Sequence, residues 1–487
     1  MNRESLKLTL YVLGFTLKNT KVEPLESYLR FDLGINFDSF VFRTVSYFVV
    51  LYIYMKSLLK LLVVFVITWQ AKLVLRKYKP KIVAVTGSVG KTTAKDAIFS
   101  VLSSSFFVRK SEKSFNTEIG VPLTILGQPN GWKNPFAWIV NIIEGFALLL
   151  LPNHYPKILV LEAGAERPGD IERLTSWLKP DVAVITRLAK VPVHVEFFSG
   201  PEDVYREKSV LIKELKSNGT AVLNSDDEDI LPMRDLTTGK IVLYGTMPPA
   251  EVIASGYKIE YEGDGKGRAP VGVSFDVSIG KEFENILIRG GLGVQQMYPI
   301  LSAIAVGKAM GLSLEKIAKS LGNHETTKGR MKIVGGLKNT LIIDDTYNSS
   351  PLALEEALNT LHAIRTRGRK IAVLGDMLEL GVFSTPEHKK AGEHAAKVVN
   401  KLFTVGVRAR HITEGALMGG LPENDILQFE DSKRAGKELE LMLAPGDVVL
   451  VKGSQGIRME RVMEEIMAEP ERKDELLVRQ DREWLRR

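Results

Sequence analysis

Lys91, Thr92 and Thr93 directly follow the turn Gly87-Ser88-Val89-Gly90, and that turn closes the apolar run Val83-Ala84-Val85. Residue types in this order can hold a phosphate. Glycines let main-chain N–H groups approach an anion, and a helix opening behind them adds positive potential. A lysine supplies a point charge, and a threonine hydroxyl can ligate Mg²⁺. The common pattern has a glycine where Val85 stands. A glycine turn without a ligand is the plain alternative, but the strand–turn–helix context favours the cradle.

Other chemistry-bearing residues stand at the ends of apolar runs. Ile158–Leu161 finishes in Glu162, and Val182–Ile185 leads to Thr186 and then to His194-Val195-Glu196-Phe197-Phe198. A carboxylate and an imidazole beside nucleotide phosphates suit Mg²⁺ or Mn²⁺. Taken singly, Glu162 reads equally as a capping or ion-paired residue and His194 as a structural one. Lys208, by spacing alone, is a solvated lysine on a helix. The chain has 0 cysteines, which excludes disulfides, thiolate zinc sites and a cysteine nucleophile.

The elements that must position these groups alternate. Ile158–Glu162, Val182–Thr186 and Thr220–Asn224 read as buried strands, with helices over Ile171–Leu178 and Pro201–Leu215. Such alternation predicts a parallel sheet covered by helices, with ligands at the carboxyl ends of its strands. A second alternating block follows Arg330. Leu341–Ile343 ends in Asp344-Asp345-Thr346-Tyr347-Asn348-Ser349-Ser350-Pro351, Ile371–Leu374 ends in Gly375-Asp376-Met377-Leu378-Glu379, and Val448–Val451 ends in Lys452-Gly453-Ser454-Gln455. Each polar end is also compatible with a simple turn and helix cap. The expected class is α/β: a central phosphate-loop domain on a parallel sheet (79–325), then a Rossmann-like α/β domain (326–468). A helical, membrane-associated segment (1–78) precedes them and a charged helical tail (469–487) follows.

At 487 residues the chain is too long for one core. Its formal charge of +7 is spread rather than gathered in a basic arm, so nucleic-acid binding is not indicated. From Phe40 to Trp69 the only basic residues are Arg43, Lys56 and Lys60. The length permits a spanning helix, while its lysines leave an interfacial hairpin or a buried helix open. Lys72, Arg76, Lys77, Lys79 and Lys81 follow the run, against Arg30 before it and Arg43 near its start, so the catalytic part is expected in the cytoplasm. A removable signal peptide is not expected, for want of a small-residue cleavage site. Phe136–Leu151, bracketed by Pro135 and Pro152, is too short to span comfortably and is expected to lie in the membrane interface, a buried hairpin being the alternative.

Several of these stretches, in order and spacing, resemble the Mur ligases: the phosphate loop, Ser114–Leu126 with its Asn116-Thr117, Val160–Ile171, His194–Ser209 and Val222–Asp229. The resemblance implies ATP-driven amide-bond formation. Under it, Gly87, Ser88, Val89, Gly90, Lys91, Thr92 and Thr93 cradle ATP. Thr92, Glu162 and His194 ligate Mg²⁺ or Mn²⁺, and Lys208 carries a carbamate that joins them. Asn116 and Thr117 face the acyl-phosphate site, and Asn224 and Asp226 approach the nucleotide. The second block resembles the branch that adds D-alanyl-D-alanine to a UDP-muramoyl tripeptide, which implies those two substrates. There Arg330 would reach the γ-phosphate, Asp345, Tyr347 and Asn348 the nucleotide, and Lys452 and Ser454 the substrates. The chain departs from the family at Gln295, Gln296 and Pro299, and at Gln455, where an arginine is usual. Arg458 is the expected replacement for that arginine.

Overall fold

β1 (Lys81–Thr86) is a short run rich in β-branched residues, buried from Ile82 onward. It sits inside a nine-stranded sheet because apolar side chains on both faces leave it no solvated side. A computed structural model describes residues 39–112, 115–132, 134–263 and 269–485. The apolar run Leu6–Leu17 and Arg30 lie outside them, as do the side chains of Arg43 and Lys56. The chain divides into two compact units, Met1–Phe65 and Val66–Arg487. Within the first, the described residues belong to the helix Ser39–Tyr78, and Leu58, Leu61 and Phe65 are exposed.

The first sheet of the second unit has the order β2-β3-β1-β4-β5-β6-β7-β8-β9. Its strands are β2 (Val108–Lys110), β3 (Ile158–Glu162), β4 (Val182–Ile185), β5 (Thr220–Asn224), β6 (Lys240–Gly245), β7 (Val252–Glu262), β8 (Ala269–Ile279) and β9 (Glu282–Arg289). β1 pairs in parallel with β3 and β4, so Thr86 and Glu162 finish at the same edge. The helices Lys91–Ser103 and Val294–Ala309 pack on one face, and Pro201–Lys213 on the other. β7, β8 and β9 continue the sheet as an antiparallel meander.

The second sheet has the order β10-β11-β15-β12-β13-β14, from β10 (Lys332–Gly336), β11 (Thr340–Asp345), β12 (Lys370–Gly375), β13 (Lys401–Val405), β14 (Ile426–Phe429) and β15 (Val448–Lys452). β11, β15, β12, β13 and β14 run parallel, and β10 is an antiparallel edge. Parallel pairing in register sets Asp345 beside Lys452 at the carboxyl edge.

One expectation changes here and one alternative drops out. The tail is not one surface helix: it forms single turns at Lys473–Leu476 and Arg482–Leu485, with Leu477 and Arg479 buried. Arg479 ties it down by donating to the carbonyl oxygens of Thr346 and Tyr347 and pairing with Glu460. Phe136–Leu151 is not a buried hairpin. It is a single helix, Pro135–Leu150, begun by an Asn134 cap and a proline in its first turn.

Candidate functional site

The loop after β1 needs glycine at Gly87, where φ is +147° and a side chain would strike the Thr186 hydroxyl. Thr186 Oγ1 donates to Val89 O at 2.6 Å, and Ser88 N donates to Arg187 O at 2.7 Å. The loop is thus fastened to the end of β4. Gly90, at φ +85°, turns the chain into the helix Lys91–Ser103. Lys91 Nζ folds back onto Gly87 O at 2.8 Å. Burial lowers its pKa against the opposing pull of Glu162.

Glu162 is 2% exposed, and its carboxylate accepts from Thr92 Oγ1 at 3.0 Å and from Asn116 Nδ2 at 3.4 Å. It forms no ion pair among the described residues. A buried carboxylate satisfied only by a hydroxyl and an amide, beside a phosphate loop, is a hard-oxygen donor set that fits Mg²⁺. Among the described residues no three His, Asp or Glu side chains converge as a ready cage.

Lys208 projects from the helix Pro201–Lys213 and is 3% exposed. Burial first, and the charge of Lys91 second, push its ammonium down to about 7. Glu207 beside it accepts from Gly169 N and Ile171 N, which fixes the helix against the loop after β3. His194, at φ +71°, brings its Nδ1 to 2.6 Å from Glu379 Oε2. That contact pulls the Glu379 carboxyl below its ordinary range.

Gly87 to Thr92 wall one cleft together with Asn116, His194, Lys208, Arg330 and Asn348, and Glu162 stands behind it against Thr92 and Asn116. Arg330 reaches it from the turn before β10, its guanidinium 4.2 Å over the Tyr347 ring. The structure does not bring the remaining expected residues to the wall. Thr93 is buried, and Thr117 Oγ1 accepts from Gly120 N. Asn224 Oδ1 accepts from Asp226 N, while Asp226 Oδ2 accepts from the Thr246 amide and hydroxyl and from Tyr298. Asp345 Oδ2 lies 2.5 Å from Lys452 Nζ, which also donates to Asn348 O at 3.0 Å. Ser454 Oγ accepts from Leu378 N. Arg458 is not free to replace the arginine absent at Gln455, being 9% exposed, paired with Glu460 and donating to Trp484 O.

Three features were missed by spacing. Glu166 lines the cleft and acts on the Lys91 charge. Ser349, Ser350 and Ala353 bring a second helix start, Pro351–Ala363, to the same wall, with Ser350 as its cap. The Ser-Pro pair was a legible signal for that start. Gln296 Nε2 holds Arg330 O at 2.8 Å, and nothing in the sequence announces it.

Residues 142–307 match the Mur ligase middle domain, and residues 329–455 match the Mur ligase, glutamate ligase domain. The chain belongs to the Mur ligase family. Among similar Mur ligases is the Bacillus subtilis protein named UDP-N-acetylmuramoyl-tripeptide–D-alanyl-D-alanine ligase, 28% identical over 82% of this chain and 79% of its own length. The Escherichia coli protein of the same name is 27% identical over 79% of this chain and 76% of its own. Among solved Mur ligase structures, the MurF ligase from Thermotoga maritima in complex with ADP shares 27% identity at a TM-score of 0.66, covering 82% of this chain and 83% of that one.

Proposed function

We propose that this Mur ligase joins D-alanyl-D-alanine to a UDP-N-acetylmuramoyl tripeptide at the expense of ATP, giving ADP and phosphate. The observation that carries the reading is the cleft in which the phosphate loop, Lys208 and Arg330 meet. Two helix starts, at Lys91 and at Pro351, supply main-chain N–H groups for phosphate oxygens. Lys91 moves from Gly87 O to the β- and γ-phosphates, and Arg330, stacked on Tyr347, meets the γ-phosphate from the second lobe. Thr92, Glu162 and His194 would hold Mg²⁺ or Mn²⁺, which when bound neutralises phosphate charge. His194 would exchange its Glu379 contact for that role.

Lys208 has a second task in this reading. An ammonium brought down to about 7 is largely neutral amine just above neutrality, and a neutral amine can add CO₂ to form a carbamate. The product is an anion beside Lys91 and completes the oxygen donors of the site. The substrate carboxylate attacks the γ-phosphorus, the bond to ADP breaks, and an acyl phosphate forms. The unprotonated amine of the dipeptide then attacks the acyl carbon. A peptide bond forms, phosphate leaves, and the amine proton passes to solvent or to phosphate. Asn116, on the loop that also touches Glu162, faces the acyl phosphate.

A second reading of the acceptor has its own support. The segment Leu58–Tyr78 is long and apolar enough to cross a membrane. In that reading a tethered enzyme with its catalytic part in the cytoplasm acts on a lipid-linked muramoyl peptide. Phosphate release with D-alanyl-D-alanine and either a UDP-linked or a lipid-linked tripeptide separates the two. Release with the soluble acceptor supports the first reading, and release with the lipid-linked acceptor alone overturns it.

A further inference from the structure

The helix Pro135–Leu150 is inside out for a water-soluble protein. Its buried residues are Asn141, Gly145 and Leu148, spaced as one helical face. The opposite face carries Phe136, Ile139, Ile143 and Leu150, all exposed, with Phe136 at 75% and Ile143 at 62%. A surface helix that packs for burial alone turns its apolar stripe inward. Its single charged residue, Glu144, is three residues from Asn141 and four from Leu148, on the flank of the protein-facing side.

Polar contacts hold the helix in this orientation. Asn141 Nδ2 donates to Pro129 O at 2.8 Å, and Gln128 Nε2 donates to Asn141 O. Gln70 Nε2 donates to Ile142 O at 2.9 Å, and a side chain at position 145 would collide with Gln70. Lys77 Nζ gathers the last carbonyls, those of Leu148, Leu149 and Leu151, and Tyr78 OH donates to Leu148 O. The supports at Gln70, Lys77 and Tyr78 come from the end of the helix that contains the candidate membrane span. Trp69 there is 44% exposed, its ring 6.1 Å from that of Phe146.

We infer that the outward face of Pro135–Leu150 lies in the interface of a lipid bilayer, as a second membrane contact beside the candidate span. Three observations choose lipid as the occupant. The face is continuous, through Trp69 and Phe146, with a segment of spanning length. Exposed Arg76 lies in the last turn of that segment and exposed Lys79 and Lys81 follow it, where anionic headgroups would meet them. Trp132 stands exposed near the helix start, and tryptophan favours the interfacial depth. The helix thus adds an interfacial contact beside the candidate span.

Because the chain has 0 cysteines, single-cysteine labelling is clean. Full-length Phe136→Cys and Ile143→Cys, each carrying an environment-sensitive fluorophore, are mixed with phosphatidylcholine/phosphatidylglycerol vesicles with and without brominated acyl chains. Met418→Cys, 72% exposed on another helix, is the reference. Brominated lipid should quench the first two labels at least about twofold more than the reference, as burial at the acyl boundary requires. All three variants should melt with the parent chain. If the chain floats with vesicles but Phe136 and Ile143 are quenched no more than Met418, the proposal is overturned. Protection of the Ile143 label that tracks protein concentration instead of brominated lipid overturns it in favour of a second copy. Failure to float overturns both the inference and the tether, leaving the ligase reading to its own assay.

Discussion

Gln296 Nε2 donates to the main-chain oxygen of Arg330 at 2.8 Å, tying the helix Val294–Ala309 under the first sheet to the turn that presents Arg330 from the second. Gln296 is 1% exposed, and its contact with Arg330 is half-buried. A fully buried carbonyl deprived of its donor costs about 1–3 kcal/mol, which is the upper bound for this half-buried one. Gln296→Ala should therefore lower the melting temperature and raise KM for ATP more than it lowers kcat, because Arg330 loses its placement before any reacting group is lost. A calorimetric scan with an ATP titration checks this, and an unchanged KM would remove Gln296 from the account.

The pair Asp345–Lys452 makes a second claim about placement. Both side chains are nearly fully buried, and Lys452 also holds Asn348 O at the cleft wall. Removing one partner of a buried pair costs about 3–5 kcal/mol. Lys452→Met should unfold well below the parent temperature, and Asp345→Asn in the same chain should restore part of the loss. A double-mutant cycle from denaturant curves measures the coupling, and additivity would contradict it.

Lys208 gives a pH dependence with a definite sign. Its ammonium is brought from 10.5 to about 7 on folding, so the unfolded chain binds more protons between those values. Stability of the unmodified chain should rise with pH across that window, and Lys208→Met should flatten the rise. Carbamate formation has the same direction, since the protonated amine cannot add CO₂. ¹³C-bicarbonate should give a carbamate resonance that fades below about 7 and is absent in Lys208→Met. A resonance that persists at pH 5 would contradict the assignment.

The first lobe was legible because its parallel strands are buried on both faces. Ile158–Glu162 and Thr220–Asn224 are strands with the bounds their composition predicts. The antiparallel meander from Val252 to Arg289 was not read, because strands such as Val252–Glu262 have a solvated face and mix charges with apolar residues. In the cleft, residues announced by the phosphate loop were legible, while those placed by long-range contacts were not. Arg458 looked free for substrate because no local pattern discloses Trp484 as its partner. Gln296 reads in sequence only as a departure from the family, and its bond to Arg330 depends on a turn far along the chain.

Release of phosphate from ATP with D-alanyl-D-alanine and UDP-muramoyl tripeptide, with and without each substrate, tests the central claim most directly. The parent chain should release phosphate only when both are present, with one peptide bond formed per phosphate. Lys91→Ala and Glu162→Ala should each lower that rate by at least about 10²-fold, as loss of preorganised charge at a phosphoryl-transfer site does. Phosphate release that ignores the dipeptide, or near-parental turnover in either variant, would contradict the account.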